Sequence, residues 1–267
     1  MRTVIDDPSC KTNSGVFCDE LREWRDRASV LSIWDYICNY RCYVAPFPNL
    51  IALKENARFY ADCKAIHLFA EDTPVTHCGT YGDLRAYLTG KVLWDPYMSD
   101  ETYAGHITEF LKAYYGEGWK DIAEYIRLEH ETTRDVEMPC FSWADIGNAF
   151  EAPFPNIGEY MAGEYVPKAY QAVHPDTYLK HFIPRIEDAL DLWNRAYEKA
   201  GTDIQREHVA LGRLAVEYID LFNTPHDKKS MTDEEKAAYE ARVEAYYAAK
   251  DRFVLKYNIW TSQYNDR

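Results

Sequence analysis

The chain contains two short apolar runs, each followed by an acidic residue, with a helix-patterned segment between them. The first run, Val30–Trp34, leads into Asp35, and the second, Ala65–Ala70, leads into Glu71. Two strands joined through a helix run parallel, because the crossover returns the chain to the same end of the sheet. The pattern therefore predicts a βαβ unit with one carboxylate near the carboxyl end of each strand.

The pattern changes at Asp95-Pro96, after which apolar residues recur at helical spacing. We expect a mostly α fold, in which a short βαβα piece over residues 1–96 is followed by an α-helical region over residues 97–267. Pro184 should kink its helix or shift the start of that helix. The expected strands cover about 30–34 and 65–70, the expected helices cover 16–28, 49–62, 80 or 83 to 94, 99–115, 119–131, 176–200, 202–222 and 232–257, and 133–175 should be irregular.

Composition excludes several classes of function. A net charge of −14 argues against nucleic acid, whose phosphates would be repelled. The sequence has no apolar stretch long enough to span a membrane, and Met1–Asp7 lacks an apolar signal core, so we expect a cytoplasmic location for the chain as it stands. The seven cysteines are irregularly spaced and indicate free thiols. With no zinc or phosphate-loop motif present, we expect neither a metal nor a cofactor.

Two strands are too few for an independently stable sheet. The βαβα piece should therefore pair with further strands, supplied by upstream sequence or by a partner chain. In a (β/α) barrel the active site lies at the carboxyl ends of the strands, where Asp35 and Glu71 are predicted to lie. The pattern thus favours the last part of a TIM-type barrel.

A set of short segments carries a family resemblance: Asp6–Cys10, Ile33–Tyr36, Asn39-Tyr40, Pro46–Leu50, Phe69–Glu71, Leu84–Leu88, Lys91–Pro96, Glu109–Leu111 and Tyr114–Gly116. Together they resemble a bacterial domain family of unknown function that occurs among polysaccharide-degradation enzymes. Its members look like glycoside hydrolases, with a barrel related to those of α-glucuronidases and β-hexosaminidases. The resemblance covers residues 5–130 and, more loosely, 180–222.

This resemblance implies a function and a partner. Family members carry a small α/β domain and the earlier barrel strands before this segment, so we expect the chain to hold only the last two strands and the helical region. It would then be the C-terminal part of a glycoside-hydrolase-like protein acting on oligo- or polysaccharide, inactive alone. Its partners would be carbohydrate and either an upstream barrel fragment or a second copy of the chain. The alternative is a non-catalytic helical module that binds carbohydrate or protein.

Glycoside hydrolysis requires two carboxyl groups across the scissile bond. Asp35 matches the acid of the family's Trp-Asp-Tyr motif, and Glu71 matches the glutamate after its last strand. We predict that these two are the catalytic carboxylates and emerge on one side of the βαβ unit within ~10 Å of each other. The alternative for Asp35 is an acid that anchors the loop. Asp72 should be a solvated or capping acid.

Substrate-binding candidates lie on the loops after the strands. Aromatic residues after the first strand either stack on a sugar or pack the loop: Tyr36, Tyr40, Tyr43 and Phe47. Arg41 pairs either with a uronate carboxylate or with an acid of the chain itself. His77, on the second loop, is a candidate hydrogen-bond partner for substrate. By contrast, Trp34 is expected to pack within the barrel wall and His67 within the core.

Overall fold

The computed structural model describes residues 16–39, 43–44, 46–72, 81–134, 181–223 and 229–257. The fold is mostly α-helical, with one small parallel sheet near the start, as the sequence predicts. The longer elements are α1 (Val16–Arg27), β1 (Leu31–Tyr36), α2 (Leu50–Asp62), β2 (Ala65–Glu71), α3 (Gly82–Trp94), α4 (Asp100–Tyr115), α5 (Trp119–Thr132), α6 (Ile186–Lys199), α7 (Asp203–Tyr218) and α8 (Asp233–Tyr257).

The register of the sheet decides which side chains share a face. β1 and β2 are parallel, with Trp34 opposite Phe69 and Tyr36 opposite Glu71, and the pairing is irregular between Leu31 and Ser32. Because side chains alternate along a strand, one face carries every second residue. That face, here called the open face, is formed by Ser32, Trp34, Tyr36, His67, Phe69 and Glu71, whereas the opposite face is formed by Ile33, Asp35, Leu68 and Ala70.

Helices α2 and α3 cover the face opposite the open face. Leu53 and Ala57 of α2 and Val92 of α3 line a small cavity together with Leu68 and Ala70 of β2. These helical residues are buried, whereas several large apolar side chains on the sheet are exposed. Among the described residues, the helices of the βαβα piece therefore cover one side of its sheet.

Two helix starts show how the sequence fixes these elements. Asn49 occupies the N-cap position of α2, but its side chain makes no capping bond. Its amide nitrogen instead donates a 2.8 Å hydrogen bond to the carbonyl oxygen of Ile37, which ties the start of α2 to the end of β1. Ser99 does cap α4, because its hydroxyl oxygen accepts a hydrogen bond from the backbone N–H of Thr102 at 3.1 Å.

One hydrophobic core runs from the βαβα piece into the helical region. Phe47 and Leu88 belong to the same buried cluster as Tyr125, Trp193 and Val209. Residue 96 thus marks a change of secondary structure, and the core continues across it. Among the described residues, no helix is both long and apolar enough to cross a membrane.

The start of α6 confirms the effect expected of Pro184, which was to kink its helix or shift the start of that helix. Pro184 lies in a short 3₁₀ turn, Ile183–Arg185, and α6 begins directly after it. Helix α7 starts with a capping box formed by Thr202 and Gln205. Most of the segment predicted to be irregular, 133–175, lies outside the described residues.

Candidate functional site

The carboxylate of Glu71 lies at the carboxyl end of the open face. Its Oε2 atom accepts a 2.7 Å hydrogen bond from the indole Nε1 of Trp34. Trp34 lies two residues before Tyr36, and Tyr36 is the residue opposite Glu71 in the sheet. The backbone continues the pairing beyond this point, since the Ile37 N–H donates to the Glu71 carbonyl oxygen at 2.9 Å. Glu71 is therefore held on a paired strand end with a defined hydrogen-bond donor.

Aromatic rings cover the middle of the open face. The Phe69 ring meets the Trp34 ring edge-on, with centroids 5.0 Å apart and an interplanar angle of 79°. Trp34 is 64% exposed and Phe69 47% exposed, so this pair presents an apolar surface to solvent. One step toward the amino end, Ser32 Oγ and His67 Nδ1 are hydrogen-bonded at 2.8 Å. Aromatic, imidazole and carboxylate groups thus follow one another along the face.

Asp35 lies on the other face of the sheet, so the predicted pairing of Asp35 with Glu71 on one side is wrong. It is opposite Ala70 in the register, and its Oδ2 atom accepts a 3.1 Å hydrogen bond from the hydroxyl of Tyr60 on α2. The adjoining cavity is about 20 Å³, which holds about one water molecule and not a sugar ring. Asp35 therefore sits between the sheet and its covering helices.

Burial, and secondarily the neighbouring Asp35 carboxylate, hold the pKa of Tyr60 well above its ordinary value. A phenol that keeps its proton donates steadily to a carboxylate. The contact thus supports an anchoring role for Asp35, although its partner is a side chain of α2 and not the backbone of the loop, as expected from the sequence.

Asp72, expected to be solvated or capping, is instead part of a partly buried ion pair. Its two carboxylate oxygens accept bonds of 2.8 and 2.9 Å from Nε and Nη2 of Arg85, which is buried in α3. This bidentate contact fixes the chain directly after Glu71 to the helix that follows it.

The predicted substrate residues are separated by the fold. Tyr36 lies on the open face beside Glu71, with its ring centroid 6.4 Å from that of Trp34. Tyr43 is only 4% exposed and packs in a cluster with residues of α7 and α8, and Phe47 is also buried, so for these two the packing alternative describes the structure. Three further candidates lie outside the described residues: Tyr40, Arg41 and His77.

His67 is exposed on the open face, so the expectation that it lies in the core is wrong for the described structure. Trp34 is exposed on the same face, and its expected packing in the wall of a complete barrel stays a prediction, because the structure describes only two strands. The signal that identifies them is parity: Trp34 shares its face with Tyr36, and His67 shares its face with Glu71. Alternation relates the residues within each strand, but it does not say which face of the sheet the helices cover.

The open face offers a fixed carboxylate beside exposed aromatic rings. Such a surface can accept hydrogen bonds from hydroxyl groups and can pack against the apolar side of a flat ligand. Within the described residues, no group of three or more histidine, cysteine or acidic side chains is arranged to hold a metal ion.

Comparison with known proteins supplies one match. A family model described as Domain of unknown function (DUF4838) matches residues 4–127, which include both strands and helices α1–α4. The expected resemblance to a domain family of unknown function is confirmed over this range. The search of curated proteins and the search of solved structures gave no match.

Proposed function

We propose that this chain is the C-terminal part of a glycoside-hydrolase-like protein that acts on oligo- or polysaccharide, with Glu71 as a carboxylate of its site. The observation that carries the proposal is the open face itself, on which Glu71 lies beside Trp34 at the carboxyl end of two parallel strands. Active sites of parallel barrels are built at that end.

The position of the helices on one face of the sheet supports the proposal that the sheet belongs to a barrel. In a (β/α) barrel the helices lie outside and the other face of each strand points inward. Here α2 and α3 cover the Asp35 side, so the open face corresponds to the inside of a barrel. Within the described residues each strand pairs only with the other, which leaves an edge of each available for further parallel strands. Those strands would come from an upstream barrel fragment or from a second polypeptide.

The position of Asp35 changes the proposed chemistry. Two carboxyl groups must reach one glycosidic bond, and Asp35 faces Tyr60 on the far side of the sheet. The second carboxyl group of the site is therefore proposed to come from the additional strands. The chain alone should be inactive, because proximity and orientation contribute ~7–11 kcal/mol and require a substrate held from several sides.

The experiment is an assay of the purified chain on aryl glycosides and uronides, together with binding measurements on a panel of neutral and acidic oligosaccharides. We expect turnover barely above that in buffer, and binding that is lost in Trp34→Ala. The matched control is Trp94→Ala, which removes a 90% exposed tryptophan at the end of α3. Robust turnover that Glu71→Gln abolishes would contradict the proposed inactivity, and no binding by any oligosaccharide would contradict the carbohydrate function.

A second candidate function is a non-catalytic carbohydrate-binding or protein-interaction module. The separation of Asp35 from Glu71 favours it, because the open face then presents aromatic rings and a single acid. If the chain binds sugar and remains without turnover when the missing strands are supplied, this second function is the better description.

A further inference from the structure

The loop after β1 packs against helices of the C-terminal region. One buried cluster, here called the loop cluster, joins two residues of that loop with residues of α7, of the turn after α7 and of α8: Cys38, Tyr43, Leu211, Leu214, Leu221, Tyr246 and Phe253. Tyr81, at the N-cap of α3, lines a small cavity with His208 and Gly212 of α7. The chain passes from the carboxyl end of each strand into the helix that follows, so α7 and α8 lie at that end of the sheet.

Helix α8 is attached through a stripe of aromatic residues spaced seven apart. Tyr246 and Phe253 belong to the loop cluster, and Tyr239 packs against it. The Tyr239 hydroxyl also donates a 2.7 Å hydrogen bond to the carbonyl oxygen of Leu221. Seven residues make about two helical turns, so the three rings lie on one face of α8. Among the described side chains of α8, Tyr246 and Phe253 are the buried ones, which makes this stripe its principal apolar attachment.

Tyr36 connects the loop cluster with the open face. Its ring is partly buried against the loop cluster, and in the sheet Tyr36 is opposite Glu71. The next residue, Ile37, donates its backbone N–H to the Glu71 carbonyl oxygen at 2.9 Å. The loop supported by α7 and α8 therefore begins directly beside Glu71.

We propose that helices α7 and α8 support the ligand site of the open face, with Phe253 as a positioning residue that holds the loop after β1 and the ring of Tyr36 beside Glu71. The inference rests on the proposed function, and it makes the helical region part of the site instead of an appendage outside the barrel. Phe253 is fully buried, so it acts through its neighbours and does not touch the ligand.

Preorganisation explains why this support matters for binding. A loop that is already ordered binds a ligand more tightly than a mobile one, because ordering a mobile loop opposes association. Weaker packing at Phe253 would free the loop and Tyr36, whereas Trp34 and Glu71 would remain on the paired strands. The expected effect is a loss of affinity in a protein that keeps its fold.

Cys38 reports on the loop without any ligand. It is 1% exposed in the loop cluster, whereas Cys18 and Cys63 are buried in a separate cluster with residues of α1, β1 and α2. The folded full chain is treated with an alkylating reagent, and the modification of each thiol is followed by peptide mass spectrometry. Phe253→Leu should raise the modification rate of Cys38 roughly tenfold, through local opening, and leave Cys18 and Cys63 unchanged.

The matched control is Leu21→Ala, which weakens the separate cluster. It should raise the modification rates of Cys18 and Cys63 and leave that of Cys38 unchanged. A Cys38 rate that Phe253→Leu does not change would overturn the inference. An equal rise for all three thiols in that variant would also overturn it, because α8 would then stabilise the whole fold and not this loop.

Binding measurements on the same variants separate this inference from the function on which it rests. With the oligosaccharide that binds the wild type most tightly, Phe253→Leu should weaken binding roughly three- to tenfold, and Leu21→Ala should leave it unchanged. If both variants bind as the wild type does, the carbohydrate function stands and the positioning role of Phe253 is overturned. If no oligosaccharide binds the wild type, the carbohydrate function fails, and the Cys38 rates still decide whether α8 holds the loop.

Discussion

The hydroxyl group of Tyr60 donates a 3.1 Å hydrogen bond to Asp35 on the helix-covered side of the sheet. This contact joins α2 to β1 and turns Asp35 away from the open face, where Glu71 lies one register step further along. Two acids that end consecutive strands therefore have different surroundings: Asp35 lies against covering helices, and Glu71 lies beside an exposed aromatic pair.

Removing the Tyr60 hydroxyl should destabilise the fold. Tyr60→Phe removes a donor from a carboxylate at a buried site, and we expect a loss of about 1–2 kcal/mol in the free energy of unfolding by urea. The control is Tyr97→Phe, which removes an exposed bond of 2.9 Å to Asp62 and should cost clearly less than Tyr60→Phe. Equal losses in the two variants would show that the Tyr60–Asp35 bond contributes nothing specific.

Stability should fall in alkaline solution, in part through Tyr60. Its pKa is raised well above 10.0 by burial and then by Asp35, whereas in the unfolded chain it loses its proton near pH ~10. The stabilising contribution is therefore complete below that pH and is lost as the pH rises further. Urea midpoints measured between pH ~9 and ~11 should fall more steeply for the wild type than for Tyr60→Phe. Parallel curves would contradict this prediction.

Gly212 should not tolerate a side chain. A Cβ atom at this position in α7 would lie 2.4 Å from Cη2 of Trp193, which is fully buried in α6. Gly212→Ala should cost about 1–3 kcal/mol because the buried indole ring, which packs against Tyr115 and Tyr125, would have to shift. Gly105→Ala is the matched control, since nothing lies within 4 Å of its Cβ position and it occupies a helix, where alanine should stabilise by about 0.5–1 kcal/mol. Thermal unfolding of both variants tests the difference in sign.

Asp121 should contribute measurably to the contact between α5 and α6. Its side chain is 8% exposed and accepts bonds from Arg195 Nε at 3.1 Å and Lys199 Nζ at 2.6 Å. Both cations are nearly half exposed, so we expect Asp121→Asn to cost about 1–2 kcal/mol, less than a fully buried pair. Glu124→Gln, which removes the acid of an exposed pair with Arg127, should cost under about 0.5 kcal/mol. A cost for Asp121→Asn no larger than that of Glu124→Gln would contradict the prediction.

Local sequence signals predicted most of the elements. The run of β-favouring residues before Asp35 and the serine before α4 each act over a few residues, and the structure places β1 at Leu31–Tyr36 and α4 at Asp100–Tyr115. Pro184 shifts the start of α6 because proline lacks the N–H that a helix interior requires. These features depend on residues that are close along the chain, so they can be predicted from a single sequence.

The faces of the sheet could not be predicted from strand ends alone. Asp35 and Glu71 both lie near the carboxyl end, but Glu71 is opposite Tyr36, one residue beyond Asp35. Because side chains alternate, a difference of one residue in register moves a side chain to the other face. The register includes an irregularity between Leu31 and Ser32, and the Tyr60 contact comes from a helix 25 residues away along the chain.

The continuous core has a practical meaning for work with pieces of this protein. Leu88 lies before residue 96, and Trp193 lies well after it, yet both belong to one buried cluster. Recombinant fragments divided at residue 96 would each expose to water the apolar side chains that this cluster buries. They are suited to fragment complementation, in which the halves recover structure when produced together, and poorly suited to separate purification.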